Sequence, residues 1–298
     1  MNRSITYIIE EKNENQTIGQ FLKEHGFSHP ILVGLKKTHE GILLNGRWAY
    51  VSERMKINDT LTVNIEETAL NSKIESVFFP LDIIYEDEDL LIVNKTSNMP
   101  IHPSMGNHEN TLANALAYYF KDQNSPFVFR CINRLDRDTT GLTIIAKNAL
   151  SAAILGRQVS NRCIHRTYLA ICEGNTNPSA TIDAPIARAN DSTIMRCINF
   201  KEGESAVTHY WQLAYDPALN LSLVKLQLET GRTHQIRVHM KYAGHPLIGD
   251  FLYNPDTTII KRQALHSSSL EFEHPLTKEK MHFHAPLPAD MKCIFPSY

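Results

Sequence analysis

The chain lacks the usual marks of a secreted or membrane-inserted protein. Its first residues, MNRSITYIIEEKNENQ, hold only a short apolar patch followed at once by Glu and Lys. That is neither a signal peptide nor a membrane span, so a cytoplasmic protein with no membrane partner is expected. Cysteine is scarce and scattered: Cys131, Cys163, Cys172, Cys197 and Cys293 are odd in number and never form a Cys-X-X-Cys pair. This argues against a disulfide framework or a zinc site and for reduced thiols in or near a core. No disorder-like tract appears. Net charge is also lacking, at −2, which excludes a globally basic nucleic-acid binder and leaves local charge as the only route to phosphate.

What is present is a globular composition. With 298 residues, 42% hydrophobic and 21% charged, the chain accommodates one large domain and one small one. Charge is unevenly distributed. Between residues 130 and 166 seven basic residues (Arg130, Arg134, Arg137, Lys147, Arg157, Arg162 and Arg166) face only Asp136 and Asp138, an excess of five positive charges. At the centre lies NRLDRDTTG, Asn133 to Gly141, in which Asp136 is flanked by Arg134 and Arg137. A carboxylate beside arginine stays ionised, as a nucleophile must. On residue types alone, an exposed ion-pair cluster is the commoner outcome.

Read in order, residues 1–75 form a small module and linker. A strand-like Ile5 to Ile9 is followed by a helix capped by Thr17, carrying Ile18, Phe21 and Leu22 and ended by Gly26. Ser28 opens a second helix to Lys37, and Ile42 to Val51 reads as a hairpin turning at Asn45-Gly46. A strand Thr60 to Ile65 and a polar linker, Glu66 to Ser76, complete it. The module holds nine Lys or Arg against ten Asp or Glu. Any phosphate contact it makes is expected from Lys36, Lys37 and Arg47; a module that only packs or meets protein is the alternative.

Residues 76–298 form the larger domain. Ile83 to Tyr85 and Leu90 to Asn94 read as a hairpin, Thr111 to Phe120 as a helix, Leu142 to Ala146 as a buried strand and Ala149 to Val159 as an amphipathic helix. Strands are expected at Thr167 to Cys172, Ile182 to Arg188, Glu204 to Leu213 and Leu221 to Leu228. From Thr233 the period becomes helical, with Ile236, Met240 and Ala243 inward and Gly244 as the stop. Arg237, one residue past Ile236, can leave the apolar stripe. Tyr168 alone reads as a core strand tyrosine. His234, His239, His245, His282 and His284 set no tetrahedral site, so no metal is expected. Periodicity by itself reaches only a mixed α and β fold.

Three ordered motifs carry more: NRLDRDTTG, then RTYLAICEG from Arg166 to Gly174, then TGRTHQIRVH from Thr230 to His239. Together they resemble the RluA-type pseudouridine synthases over roughly residues 80 to 290. The sequence departs from that pattern at Asn133, where His is usual, at Thr140, where Ser is usual, and at Lys95-Thr96, where Lys-Pro is usual. Residues 1–75 resemble an S-four-like RNA-binding module. The resemblance implies an α+β fold with a long, bent, largely antiparallel mixed sheet and flanking helices. It implies isomerisation of uridine to pseudouridine in RNA with no cofactor, in ribosomal RNA ahead of transfer RNA; a monomer is expected. It assigns Asp136 as the reacting carboxylate, Tyr168 as the residue stacking on the base and Arg237 as the ion-pair partner of Asp136; Arg134 is the candidate to fill the space left by an extruded base, and Arg137 and Arg232 are expected RNA contacts. Two alternatives stay open: a catalytically silent RNA-binding or ribosome-assembly factor, and a glycosidic hydrolase using Asp138 as its acid.

Overall fold

A computed structural model describes residues 2–67, 74–104, 106–125, 127–190 and 192–298. The small module is β1 (Asn2–Ile8), α1 (Ile18–Glu24), α2 (His29–Lys37), β2 (Ile42–Leu44), β3 (Arg47–Trp48) and β4 (Thr60–Glu66). Its sheet runs β1-β4-β2-β3, antiparallel throughout. β1 pairs with β4 and so belongs to the module's sheet. Thr17 closes a capping box with Gln20 at the start of α1. Asn45 and Gly46, with φ of 52° and 77°, make the tight β2–β3 turn. β4 alternates, burying Leu61, Val63 and Ile65 against the two helices. Glu66 ends β4 instead of beginning the linker, and residues 68–73 of that linker lie outside the described residues.

The larger part comprises β5 (Ile83–Glu86), β6 (Leu90–Lys95), α3 (Leu112–Asp122), β7 (Thr140–Ala146), α4 (Ala149–Ser160), β8 (His165–Glu173), β9 (Ser179–Asp183), β10 (Ile186–Arg188), β11 (Arg196–Ile198), β12 (Val207–Asp216), β13 (Leu221–Leu228), α5 (Gln235–Tyr242), β14 (Leu265–Glu273), β15 (Lys280–His284) and α6 (Ala289–Lys292). Its nine-stranded sheet runs β5-β6-β7-β14-β8-β13-β12-β9, with β15 pairing β14. Among the described residues β7–β14 is the one parallel pairing. β7 is buried at every residue. Gly141, at φ 109°, makes the β7–β14 approach possible, because a Cβ there would stand 2.2 Å from the Ser267 carbonyl oxygen. The expected strand Ile182 to Arg188 is two strands: Pro185 interrupts it, and β10 leaves the large sheet to pair with β11 as a separate ribbon.

The two parts share a core. Leu150 and Ile154 on α4 pack with Ile18, Phe21 and Leu22 of the module. Arg3 forks Asp89 through Nε and Nη2, both at 3.0 Å. Buried Glu67 accepts from Arg130 Nη2 at 2.9 Å and from the Ala149 backbone N–H at 2.9 Å, placing a carboxylate at the N-terminus of α4.

Candidate active site

Asp136 lies on the loop that leads into β7, and the loop is fixed from three sides. Asn133 is buried; its amide donates to the Leu142 carbonyl at 3.1 Å and accepts from the Ile144 N–H at 2.7 Å. The side chain thus satisfies β7 as a neighbouring strand would, a pairing of donor and acceptor that an amide supplies without titrating. Lys95, at the end of β6, donates to the carbonyls of Thr96, Met99 and Arg137 at 2.8, 2.9 and 2.9 Å. Burial brings its amine down to about 7, against the opposing pull of Asp138 and Asp136. Arg262 donates to the Asp138, Gln263 and Leu265 carbonyls from below.

The Asp136 side chain remains 26% exposed, facing the cleft, and its Oδ2 accepts from Arg237 Nη1 at 2.9 Å. Arg237 rises from α5 and is itself buried. Its Nε and Nη2 fork the fully buried Asp250, each at 2.7 Å. Burial alone would lower the guanidinium pKa, but hydrogen bonds and charge from Asp250 and Asp136 raise it, so the cation is permanent. The ring of Tyr253 lies 5.0 Å from its guanidinium carbon. Asp250 also accepts the Leu252 and Tyr253 N–H groups. Asp250 is missed by sequence reasoning because nothing in a separation of 13 residues signals a forked pair. His234, just before α5, places Nδ1 2.9 Å from the Tyr253 hydroxyl and Nε2 3.9 Å from Asp136 Oδ2.

These groups open into a cleft of about 1040 Å³. Tyr168, on β8, forms its buried wall; burial raises its phenol pKa, nearby Arg166 opposes this, and the hydroxyl stays protonated. Seven arginines line the cleft (Arg134, Arg137, Arg162, Arg166, Arg196, Arg232 and Arg237) against two carboxylates, Asp136 and Glu229. Of the basic residues between 130 and 166, four are here. The other three are engaged elsewhere: Arg130 with Glu67, Lys147 with Glu86, and Arg157 with the Gly26 carbonyl. Arg134 is exposed and makes no hydrogen bond or ion pair among the described residues. Arg137 pairs with Asp138 at 2.8 Å, and Arg232 pairs with Glu204 and donates to the Ser205 carbonyl. Arg166 lines the cleft and carries a buried Nε–H with no partner among the described residues.

Asp138 turns away from the cleft toward Arg137 and the Asn98 N–H, so it does not stand opposite Asp136. Lys36, Lys37 and Arg47 are exposed on the module and do not reach the cleft. His239 is a core residue bonded to Thr208 and the Ala184 carbonyl, and His245 is bonded to the Glu173 carbonyl.

A family model described as RNA pseudouridylate synthase matches residues 89–242. A Bacillus subtilis protein named as an uncharacterized RNA pseudouridine synthase, YjbO, is 39% identical over 92% of this chain and 96% of its own length. The ribosomal large subunit pseudouridine synthase D of Zymomonas mobilis is 38% identical, over 86% and 85% of the two chains. Human RNA pseudouridylate synthase domain containing 1 superposes with a TM-score of 0.59 at 29% identity, covering 70% of this chain and 83% of its own.

Proposed function

Because the chain belongs to the RNA pseudouridine synthases, in their RluA-type family, we propose that it isomerises specific uridines of large-subunit ribosomal RNA through Asp136 and without a cofactor. The observation that carries this reading is the Asp136 carboxylate, held at one oxygen by a permanently charged arginine in a cleft lined by seven guanidinium groups. The reaction breaks the bond from sugar to uracil N1, turns the uracil and rejoins it through C5. It is redox-neutral, which is why no cofactor is called for. Asp136 attacks the sugar or the ring, or takes a sugar proton.

Arg134, exposed and uncommitted, suits the space left by an extruded base. Tyr168 suits the face of that base, and Arg166, on the cleft wall, adds positive charge beside it. Arg137 and Arg232 add positive charge along the RNA path, though each first answers a neighbouring carboxylate. On the module, Arg47 stands beside exposed Trp48 and Tyr50, whose rings lie 6.5 Å apart. With Lys36 and Lys37 they give that face both phosphate-binding and stacking chemistry. Action as a monomer in the cytoplasm completes the proposal; no helix among the described residues is long and apolar enough to cross a membrane.

Asn133, the departure that favours a silent factor, braces β7 through its amide. The hydrolase reading needs a carboxylic acid across from Asp136, and Asp138 does not stand there. Pseudouridine mapping of ribosomal and transfer RNA from cells with the gene, without it, and with Asp136→Asn as the sole copy is the test. Sites in ribosomal RNA lost in both the deletion and the variant are expected. Sites that persist in the variant would remove Asp136 from the chemistry.

A further inference from the structure

His234 occupies an unusual backbone position. It precedes α5 with φ 58° and ψ 18°, a left-handed conformation uncommon outside Gly, which His enters more readily than most side chains, as Asn and Asp do. The turn aims its ring into the cleft, where the side chain is 13% exposed and lies between Asp136 and Tyr253.

Tyr253 decides which ring nitrogen carries hydrogen. Its oxygen accepts the Arg196 backbone N–H at 2.8 Å. Its own hydrogen has one acceptor among the described residues, His234 Nδ1 at 2.9 Å. Tyr253 is 5% exposed, and a buried hydroxyl hydrogen left unpaired is disfavoured. A hydrogen on Nδ1 would aim two donors at one oxygen and orphan that hydroxyl. Nδ1 therefore accepts, and the ring hydrogen sits on Nε2. The charged form, with hydrogen on both nitrogens, meets the same objection. Burial disfavours it first; Arg237 and Arg196 add to this, and Asp136 and Asp250 oppose it, with a net lowering of the pKa.

We propose that His234 is a positioning residue for Asp136: its Nε2–H and Arg237 Nη1 together hold Oδ2, leaving Oδ1 to meet the substrate. One donor orients a carboxylate; two donors on the same oxygen stop the oxygens exchanging places. The 3.9 Å separation is about 1 Å beyond a hydrogen bond, a gap of the kind that closes when a cleft fills. The inference rests on Asp136 being the reacting carboxylate.

Nitrogen-15 NMR of the full chain labelled at histidine tests it, with the His234 signals identified by their loss in His234→Asn. At neutral pH the ring should be neutral with hydrogen on Nε2, and Tyr253→Phe, which keeps the ring over Arg237, should abolish that preference. Hydrogen on Nδ1, or on both nitrogens, overturns the proposal. The His234→Asn variant suits the left-handed backbone and keeps an acceptor for Tyr253, but its shorter amide does not carry an N–H to the place of Nε2 beside Asp136. Its kcat should fall roughly ten- to a hundredfold with KM within about twofold, the worth of one hydrogen bond to a charged group. A raised KM with kcat intact would place His234 on the RNA and overturn the proposal. An active Asp136→Asn enzyme overturns the premise instead, and does so without changing the tautomer, so the two failures are distinguishable.

Discussion

Arg237 serves two carboxylates at once, and its removal should be felt first by the one farther from the cleft. Asp250 is fully buried and forked by Arg237. Arg237→Met would leave that charge dry and unpaired, at a cost of about 3–5 kcal/mol. Urea unfolding measures it, and a loss below about 1 kcal/mol would mean that the fork to Asp250 is not what holds the turn to α5. The ion pair to Asp136 was legible from the position of Arg237 just past Ile236 together with its motif. Asp250 was not legible, nor was Tyr253, because both belong to a turn whose return to α5 no local pattern announces. One clue existed: a buried guanidinium has five N–H donors, more than a single exposed carboxylate satisfies.

At the scale of elements, β14 carries a buried histidine whose titration should register in stability. His266 takes hydrogen bonds at both ring nitrogens, Nδ1 with Thr140 of β7 at 2.9 Å and Nε2 with the Ala285 carbonyl at 3.2 Å. Burial pushes its pKa from 6.5 down to about 4, the Ala285 contact opposing. Between those values the unfolded chain binds the extra proton and the folded chain does not. Stability from this group is therefore complete above about pH 6.5 and lost as pH falls toward 4, by about 3 kcal/mol. Unfolding free energies of the parent and His266→Gln, compared from pH 4 to 7, should converge toward the acid end. A constant difference would sink the assignment. The hairpin at Asn45-Gly46 and the helix capped by Thr17 were readable because each depends on neighbours in sequence; Ser28, at the start of α2, makes no side-chain cap. The break at Pro185 and the departure of β10 to pair with β11 depend on partners elsewhere, and Ile182 to Arg188 gave no sign of them beyond the proline.

For the whole molecule, the shared core between α4 and the module implies that the two parts unfold together. Calorimetry should show a single transition, and two separated transitions would contradict the joint core of Leu150, Ile154, Ile18 and Leu22. Glu67→Ala should weaken the joint by about 1–3 kcal/mol, since it strips acceptors from Arg130 and from the Ala149 N–H. The composition and the polar stretch after β4 suggested a module set apart, because a linker signature reports chain chemistry and says nothing of the surface against which the module rests. Strand order was hidden for the same reason. β14 is the next-to-last strand of the chain, yet it stands at the middle of the large sheet, joining the side that carries Asp136 to the side that carries Tyr168. During synthesis, then, the ribosome releases every side chain of the cleft except Leu265 before the strand that unites them exists, and the nascent chain must hold two unfinished half-sheets with open edges until residues 265–273 emerge.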